Sequence, residues 1–218
     1  VELYRALAEV AEGRTSYNLQ FTTENATAKR DAELDVVLCR SEQQLSEAQR
    51  IRYEIYCEEL GRVSPFADHD RRIIADDLDR DGHVLLALEK GTPIATLRMN
   101  MARSGPLGPL EELYGMEQSP HHPAATGVCT KFIVKKQYRL GQVSFRLMAT
   151  AIELAQQCEI KHCFIDCIPS LLPFYASLGF AKAGPAFLHR ENGRSIPLML
   201  DIERYARRIT RLTGFVLR

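Results

Sequence analysis

Thr130-Lys131-Phe132-Ile133-Val134-Lys135-Lys136-Gln137-Tyr138-Arg139-Leu140-Gly141-Gln142-Val143-Ser144 reads as a buried strand, a basic turn holding one glycine, and the start of a long amphipathic helix. Chains grip phosphate in this order. The glycine lets backbone approach a ligand closely, the first helical turn offers N–H groups and the positive end of the helix dipole, and Lys and Arg add charge. Further on, Pro173-Phe174-Tyr175-Ala176-Ser177-Leu178-Gly179-Phe180 sets a tyrosine hydroxyl near a helix end.

Working outward, the periodicity predicts a helix from about Leu140 to Cys158, a strand His162 to Cys167, a helix Ser170 to Leu178, strands around Ala186 to His189 and Ile196 to Asp201, and a last helix Ile202 to Leu212 with basic side chains outside. Upstream, Asp35 to Arg40 reads as a strand, and Ser41 to Leu60 as a helix capped by Ser41 and ended by Gly61. Gly61 to Asp81, with Pro65 and the acidic run Asp76-Asp77-Leu78-Asp79, reads as an irregular surface loop. His83 to Glu89 and Ile94 to Met101 are strands split by the turn Lys90-Gly91-Thr92-Pro93, and Leu110 to Tyr114 suits a helical turn. Val1 to Glu12 carries Leu3, Leu7 and Val10 on a helical spacing, then a polar stretch follows, so residues 1–34 are expected as a helical arm and linker before one domain, residues 35–218.

The chain has 218 residues, 45% of them hydrophobic, with 28 acidic and 28 basic side chains. That balance argues against a general polyanion binder, and the basic residues are not interleaved with aromatics as nucleic-acid surfaces require. No apolar run approaches the roughly 20 residues that cross a bilayer, and no signal pattern opens the chain, so a cytoplasmic protein is expected. Six cysteines in such a chain read as reduced thiols. Cys158, Cys163 and Cys167 flank apolar residues at spacings unlike a zinc site, and the six histidines form no ligand pair, so no metal is expected.

Together the two opening segments resemble the GCN5-related N-acyltransferase (GNAT) superfamily, over roughly Asp35 to Asp201. The resemblance implies an α/β (α+β) domain with a mixed, mostly antiparallel twisted sheet flanked by helices. It implies a strand that bulges and splays from its neighbour, freeing the backbone of Phe132, Ile133 and Val134 to hold a pantetheine arm. The superfamily's phosphate loop, Gln/Arg-x-x-Gly-x-Gly/Ala, falls on Tyr138 to Val143. Tyr138 stands at its first position, where Gln137 can substitute, and Val143 at its second small residue. Gln137, Arg139, Leu140, Gly141, Gln142, Val143 and Ser144 are thereby the candidate phosphate-side residues. Tyr175 is the implied donor to the departing thiolate, beside Thr130 and Lys131. The plain alternative for Tyr175 is a ring packed in the core.

Arg52-x-x-x-Tyr56, Asp76-x-x-Asp79 and Arg98 resemble the arginine, aromatic and acidic set of acyl-homoserine lactone synthases and N-acyl amino acid synthases. In those branches the set orders a loop around the substrates, although arginine with two carboxylates also braces loops in many proteins. Val128 stands where the lactone synthases carry a glutamate base, and the chain has no tryptophan, which disfavours a strict lactone synthase. Glu58, Glu59 and Glu191 are candidate replacement bases. Lys131, Lys135, Lys136, Arg139 and Arg146 would gather at the phosphate entrance and suit an acidic carrier protein.

The expected activity is N-acylation of an amino acid, as in N-acyl tyrosine synthases, by a long-chain acyl group on acyl carrier protein. No cofactor is held permanently; acyl-phosphopantetheine, on the carrier protein or coenzyme A, is the co-substrate. The runner-up is a coenzyme A dependent N-acetyltransferase, and a non-catalytic carrier-binding module stands behind it.

Overall fold

The computed structural model describes residues 34–139 and 141–213. The expected helical arm and the candidate Leu140 lie outside the described residues.

Strands β1 (Leu34–Leu38), β4 (His83–Glu89), β5 (Thr92–Met101), β6 (Thr126–Val134), β7 (His162–Cys167), β10 (Gly193–Asp201) and the short β8 (Ala181–Lys182) lie side by side in that spatial order, with β9 (Phe187–His189) pairing on β10. Every pairing is antiparallel except β6 with β7, so the sheet is mixed and mostly antiparallel, as expected. β5 begins at Thr92 and takes Pro93 into the strand, and β10 begins at Gly193, both longer than the sequence pattern indicated.

Helix α1 (Glu42–Tyr53) is capped by Ser41, whose side chain accepts from the Gln44 N–H. It continues as a π-helical turn, Glu54–Glu59, before Gly61 takes a left-handed φ of 60°. α1 covers one sheet face, packing Ala48, Ile51 and Ile55 on Val84, Leu86 and Ile133. On the opposite face α3 (Gln142–Gln157) and α4 (Leu172–Ser177) bury Leu147, Met148, Ala151 and Phe174 against Leu97, Met99, Cys129 and Ile165. α5 (Ile202–Thr213) follows β10, and the short α2 (Leu110–Leu113) packs beside Tyr114 and Met116.

Two irregularities shape the region where chemistry is placed. β6 pairs with β7 only from Thr126 to Val128, while β7 runs on to Cys167 paired with β10 alone, so a fork opens between the strands beyond Val128 and Phe164. In the β5–β6 ladder, Thr96 faces Ile133 and Arg98 faces Thr130, so β6 holds one residue more than β5. That bulge is built on Lys131, a non-glycine residue at φ 52°. Its effect is a change of face: Phe132 and Val134 join the apolar core under α3, Ile133 joins the α1 side, and Thr130 and Lys131 share one cavity.

Candidate active site

Along β5 the side chains alternate. Leu97, Met99 and Met101 face the α3 core, while Thr96, Arg98 and Asn100 face the other way, and all six are buried. Strand alternation of this kind commonly marks a solvated face. Here the polar face is roofed by α1 and by Gly61 to Asp81. That segment is not the surface loop expected: it holds two-residue strands β2 (Ala67–Asp68) and β3 (Ile73–Ile74) and a 3₁₀ turn Asp77–Asp79, and its carboxylates reach inward.

The structure brings Arg52, Tyr56, Asp76, Asp79 and Arg98 together. Arg52 Nη1 donates to both oxygens of Asp79 at 2.8 Å. Arg98 Nη1 donates to Asp79 Oδ1 at 2.8 Å and to Asp76, its Nη2 donates to Asp76 Oδ2 at 3.2 Å, and its Nε donates to Thr130 Oγ1 at 3.1 Å. Burial alone would raise the Asp79 pKa, but Arg52 and Arg98 more than reverse it and hold the carboxyl below its ordinary value. Burial pulls the Arg52 guanidinium's pKa down, opposed by Asp79. Gly82 permits this packing, since a Cβ there would lie 2.6 Å from the Leu78 carbonyl and 2.9 Å from Arg98 Cδ.

Next to the network lies a cavity of about 660 Å³, lined by Tyr56, Asp76, Arg98, Asn100, Thr130, Lys131, Asp166 and Glu191, with Leu107, Leu110 and Leu113 as an apolar wall. Lys131 Nζ donates to Glu191 Oε2 at 2.6 Å and lies 3.8 Å from Asp76 and 5.4 Å from the Tyr56 ring centroid. The bulge therefore carries Lys131 away from the phosphate entrance, where the sequence pattern had grouped it. Of the three candidate bases, Glu191 reaches the cavity, fixed by Lys131 and by Ser64 Oγ, while Glu58 pairs with Arg72 and Glu59 with Arg139 outside it. Sequence reading missed Asp166, Asn100 and Tyr114. Tyr114 donates to Asp166 Oδ1 at 2.6 Å, and burial foremost, then the Asp166 charge, pushes the Tyr114 phenol's pKa well up. The one available signal was an aspartate inside the apolar strand His162-Cys163-Phe164-Ile165-Asp166-Cys167.

The fork lies beside this cavity. Tyr175 sits in the core with its ring centroid 6.4 Å from Phe132, 5.1 Å from Phe174 and 5.6 Å from Phe180. Burial first, then Cys167, Asp166 and Cys129, keep its hydroxyl protonated well beyond the usual phenol range. Past the fork, Arg139 Nε donates to the Val134 carbonyl at 2.8 Å and its guanidinium pairs with Glu59 at 2.6 Å, while Lys135 pairs with Glu54 at 2.9 Å. Gln137 is exposed on a 3₁₀ turn, whereas the Tyr138 hydroxyl turns to Glu89 at 2.5 Å. Gly141 caps α3 at φ −111°, a conformation open to any residue, and a Cβ there would meet only the Tyr138 carbonyl at 3.6 Å and the Arg139 carbonyl at 3.9 Å. Val143 and Ser144 point into the protein, and Gln142 is exposed.

A forked mixed sheet with a glycine-led helix at its mouth defines an acyltransferase of the GNAT type. A profile of the N-acyl amino acid synthase FeeM family matches residues 47–201, and the chain belongs to that family and is an N-acyltransferase. Among solved structures it is similar to FeeM, an N-acyl amino acid synthase from uncultured soil microbes (TM-score 0.65, 15% identity, covering 84% of this chain and 98% of that one). It is similar also to the acyl-homoserine lactone synthase LasI (TM-score 0.67, 16% identity, 85% and 97%) and to the coenzyme A dependent lactone synthase BjaI (0.66, 21%, 84% and 90%). At these identities the likeness concerns the fold. An L-ornithine N(alpha)-acyltransferase of Rhodobacter capsulatus is 40% identical over 45 residues, a stretch spanning 21% of this chain and 17% of that protein. No helix among the described residues is long and apolar enough to cross a membrane.

Proposed function

We propose that the protein joins a long-chain acyl group, delivered as an acyl-phosphopantetheine thioester by acyl carrier protein, to the amino group of an amino acid. The observation that carries this reading is the fork, whose β6 edge from Phe132 to Val134 has no strand partner on the β7 side, Arg139 holding the Val134 carbonyl, and follows directly on Thr130 and Lys131 in the wall of a cavity of buried charges. An extended thioester arm finds on that edge backbone that no strand of the sheet pairs on the β7 side, and N–H groups there steady the oxyanion as the amine attacks. Tyr175, uncharged at neutral pH, gives the departing thiolate its hydrogen bond. Arg52, Asp79, Asp76 and Arg98 hold Thr130 and Lys131 in place, and Tyr56 covers Lys131.

Gly141, which the backbone conformation does not require, leaves room for phosphate at the start of α3, with Gln137, Gln142 and Arg139 around it. Lys135 and Arg139 are already paired with Glu54 and Glu59, which suits the single phosphate of a carrier-bound arm better than a coenzyme A diphosphate. The structural neighbour whose name specifies coenzyme A dependence makes that donor the competing outcome. The name of the short ornithine-acylating match supports an α-amino group as acceptor, and a tyrosine-type acceptor is the other choice.

The test is mass spectrometry of lipid extracts from cells expressing the protein or its Arg98→Ala form, with protein abundance matched. New masses equal to a fatty acid plus an amino acid, absent with the variant, are expected and name both substrates. No new amide, with coenzyme A co-purifying, would replace this reading with an acetyltransferase.

A further inference from the structure

We infer that Asp166 and Asn100 form an ammonium site at the floor of the cavity, and that Asp166 takes the proton from the incoming amine. This rests on the acyl-transfer reading of the same cavity and assigns the base that reading leaves open.

The buried cations and anions of the cavity are matched with one another: Arg98 with Asp76 and Asp79, Lys131 with Glu191, Arg52 with Asp79. Asp166 differs in its surroundings. Its Oδ1 accepts from a neutral phenol, Tyr114, and its Oδ2 is buried with no hydrogen-bond partner. The other groups whose ionisation its charge disfavours are Tyr56, Tyr175 and Cys167, again neutral. A carboxylate oxygen left so is costly unless a donor arrives, and a cationic donor serves best.

A second oxygen in the same wall has the same need. Asn100 is almost fully buried, and its Nδ2 donates to the Leu78 carbonyl at 2.8 Å. Because that partner accepts only, the amide nitrogen is fixed there and Oδ1 is the free end, buried without a partner. Asn100 and Asp166 both line the cavity, on β5 and β7. Below them Val128 on β6, registered opposite Asn100 and Phe164, closes the wall with an apolar side chain, and of the β6 residues that line the cavity Thr130 accepts from Arg98 and Lys131 is taken by Glu191. Two unpartnered acceptors, in a cavity whose cationic side chains Lys131 and Arg98 are already engaged, describe a seat for a primary ammonium group rather than for a carboxylate or a phosphate. Asp166 also lies past Phe164, the last residue of β7 paired with β6, and so at the fork.

The step balances as follows. The ammonium gives one proton to the Asp166 carboxylate, and the freed lone pair forms the C–N bond at the thioester carbonyl. The C–S bond then breaks, the second nitrogen proton leaves with the thiolate as a thiol, and Asp166 returns its proton to solvent. Glu191 is less suited to this task, since both its oxygens are held, by Ser64 and Lys131.

The experiment compares purified wild type with Asp166→Asn, Asp166→Glu and Tyr114→Phe by ligand-induced thermal shift and, in parallel, by acyl transfer across pH. The probes are a panel of free amino acids and their N-acetyl derivatives, which lack the ammonium. Wild type is expected to bind free amines and not the acetylated forms. Asp166→Asn should lose that preference by about 10-fold or more and lose about 10²- to 10⁴-fold in kcat, with KM for the acyl donor unchanged. Asp166→Glu should recover part of each, while Tyr114→Phe, a positioning change, should raise KM for the amine with little change in donor KM. Should Asp166→Asn keep wild-type rates, or wild type bind acetylated and free forms alike, the inference is overturned while N-acylation stands. Asp166-dependent amine binding without any acyl transfer would uphold the site and overturn the acyl-transfer reading.

Discussion

The two faces of β5 are equally buried and differently built. Under α3, Leu97, Met99 and Met101 join an apolar core that packing alone explains. Under α1 and the acidic segment, Thr96, Arg98 and Asn100 are as inaccessible, yet they carry a guanidinium and an amide. Burying matched charges seldom gains stability over apolar side chains of similar volume, so the ionic face is held for what it positions. The comparison sets a face that packing explains beside a face whose charges packing does not explain.

The largest effect should come from unbalancing the ionic face. Asp79→Ala leaves Arg52 and part of Arg98 buried without their shared carboxylate, and should cost about 3–5 kcal/mol in urea unfolding and remove activity. Leu97→Ala on the other face should cost a similar amount, about 2–5 kcal/mol, while the folded fraction keeps its KM values. A double change, Arg52→Met with Asp79→Leu, should regain stability without regaining activity. If it regains both, the network is a brace and the contrast between faces fails.

Legibility in the sequence follows the same division. The helix after the basic turn is a local pattern, while the splayed strand and the Arg52, Asp76, Asp79 and Arg98 set were legible through the family resemblance. What escaped reading depends on pairing between distant segments. A bulge in this strand was expected from the resemblance, but nothing in Thr130-Lys131-Phe132 announces that it falls on Lys131 with a left-handed φ and turns that lysine into the cavity. Glu191 meets Lys131 across 60 residues of chain. The acidic segment reads as surface because charge normally marks solvent, and its burial follows only from two arginines arriving from α1 and β5. Asp166 hides in an apolar strand whose pattern says core.

A smaller effect distinguishes the faces by pH. Asp79 has its folded pKa held down, so its contribution is present above the unfolded value of about 3.9 and lost as pH falls through the lower folded value. Cys39, beside the α1 cluster, and Cys167, in the α3 core, are pushed by burial from 9.0 up to about 11. Each thiol binds its proton more tightly when folded, so its contribution is complete below the unfolded value of about 8.5 and is lost as pH climbs toward about 11, at up to about 1.4 kcal/mol per pH unit. Thermal midpoints against pH should show a plateau between these limits. Asp79→Asn should flatten the acid side alone, and Cys167→Ala should lessen the alkaline loss that it shares with Cys39 and leave the acid side unchanged; an acid-side change in Cys167→Ala would overturn this division.

The smallest expected effect falls on Tyr175, which belongs to both descriptions. Its ring packs with Phe132, Phe174 and Phe180 in the core, and its hydroxyl, kept protonated by burial, is the one proposed above to meet the leaving sulfur. Tyr175→Phe keeps the ring, so unfolding should change by less than about 1 kcal/mol. A thiolate leaves readily, so the lost hydrogen bond should lower kcat by only about 10-fold, below the 10²–10⁴ typical of proton transfer, with KM for both substrates unchanged. Tyr175→Leu separates the two roles, because it disturbs the aromatic packing as well and should add a stability loss of about 1–3 kcal/mol to the same kcat defect. Equal kcat in wild type and Tyr175→Phe would return the residue wholly to the apolar face and mean that the sulfur departs without a hydrogen bond from this phenol.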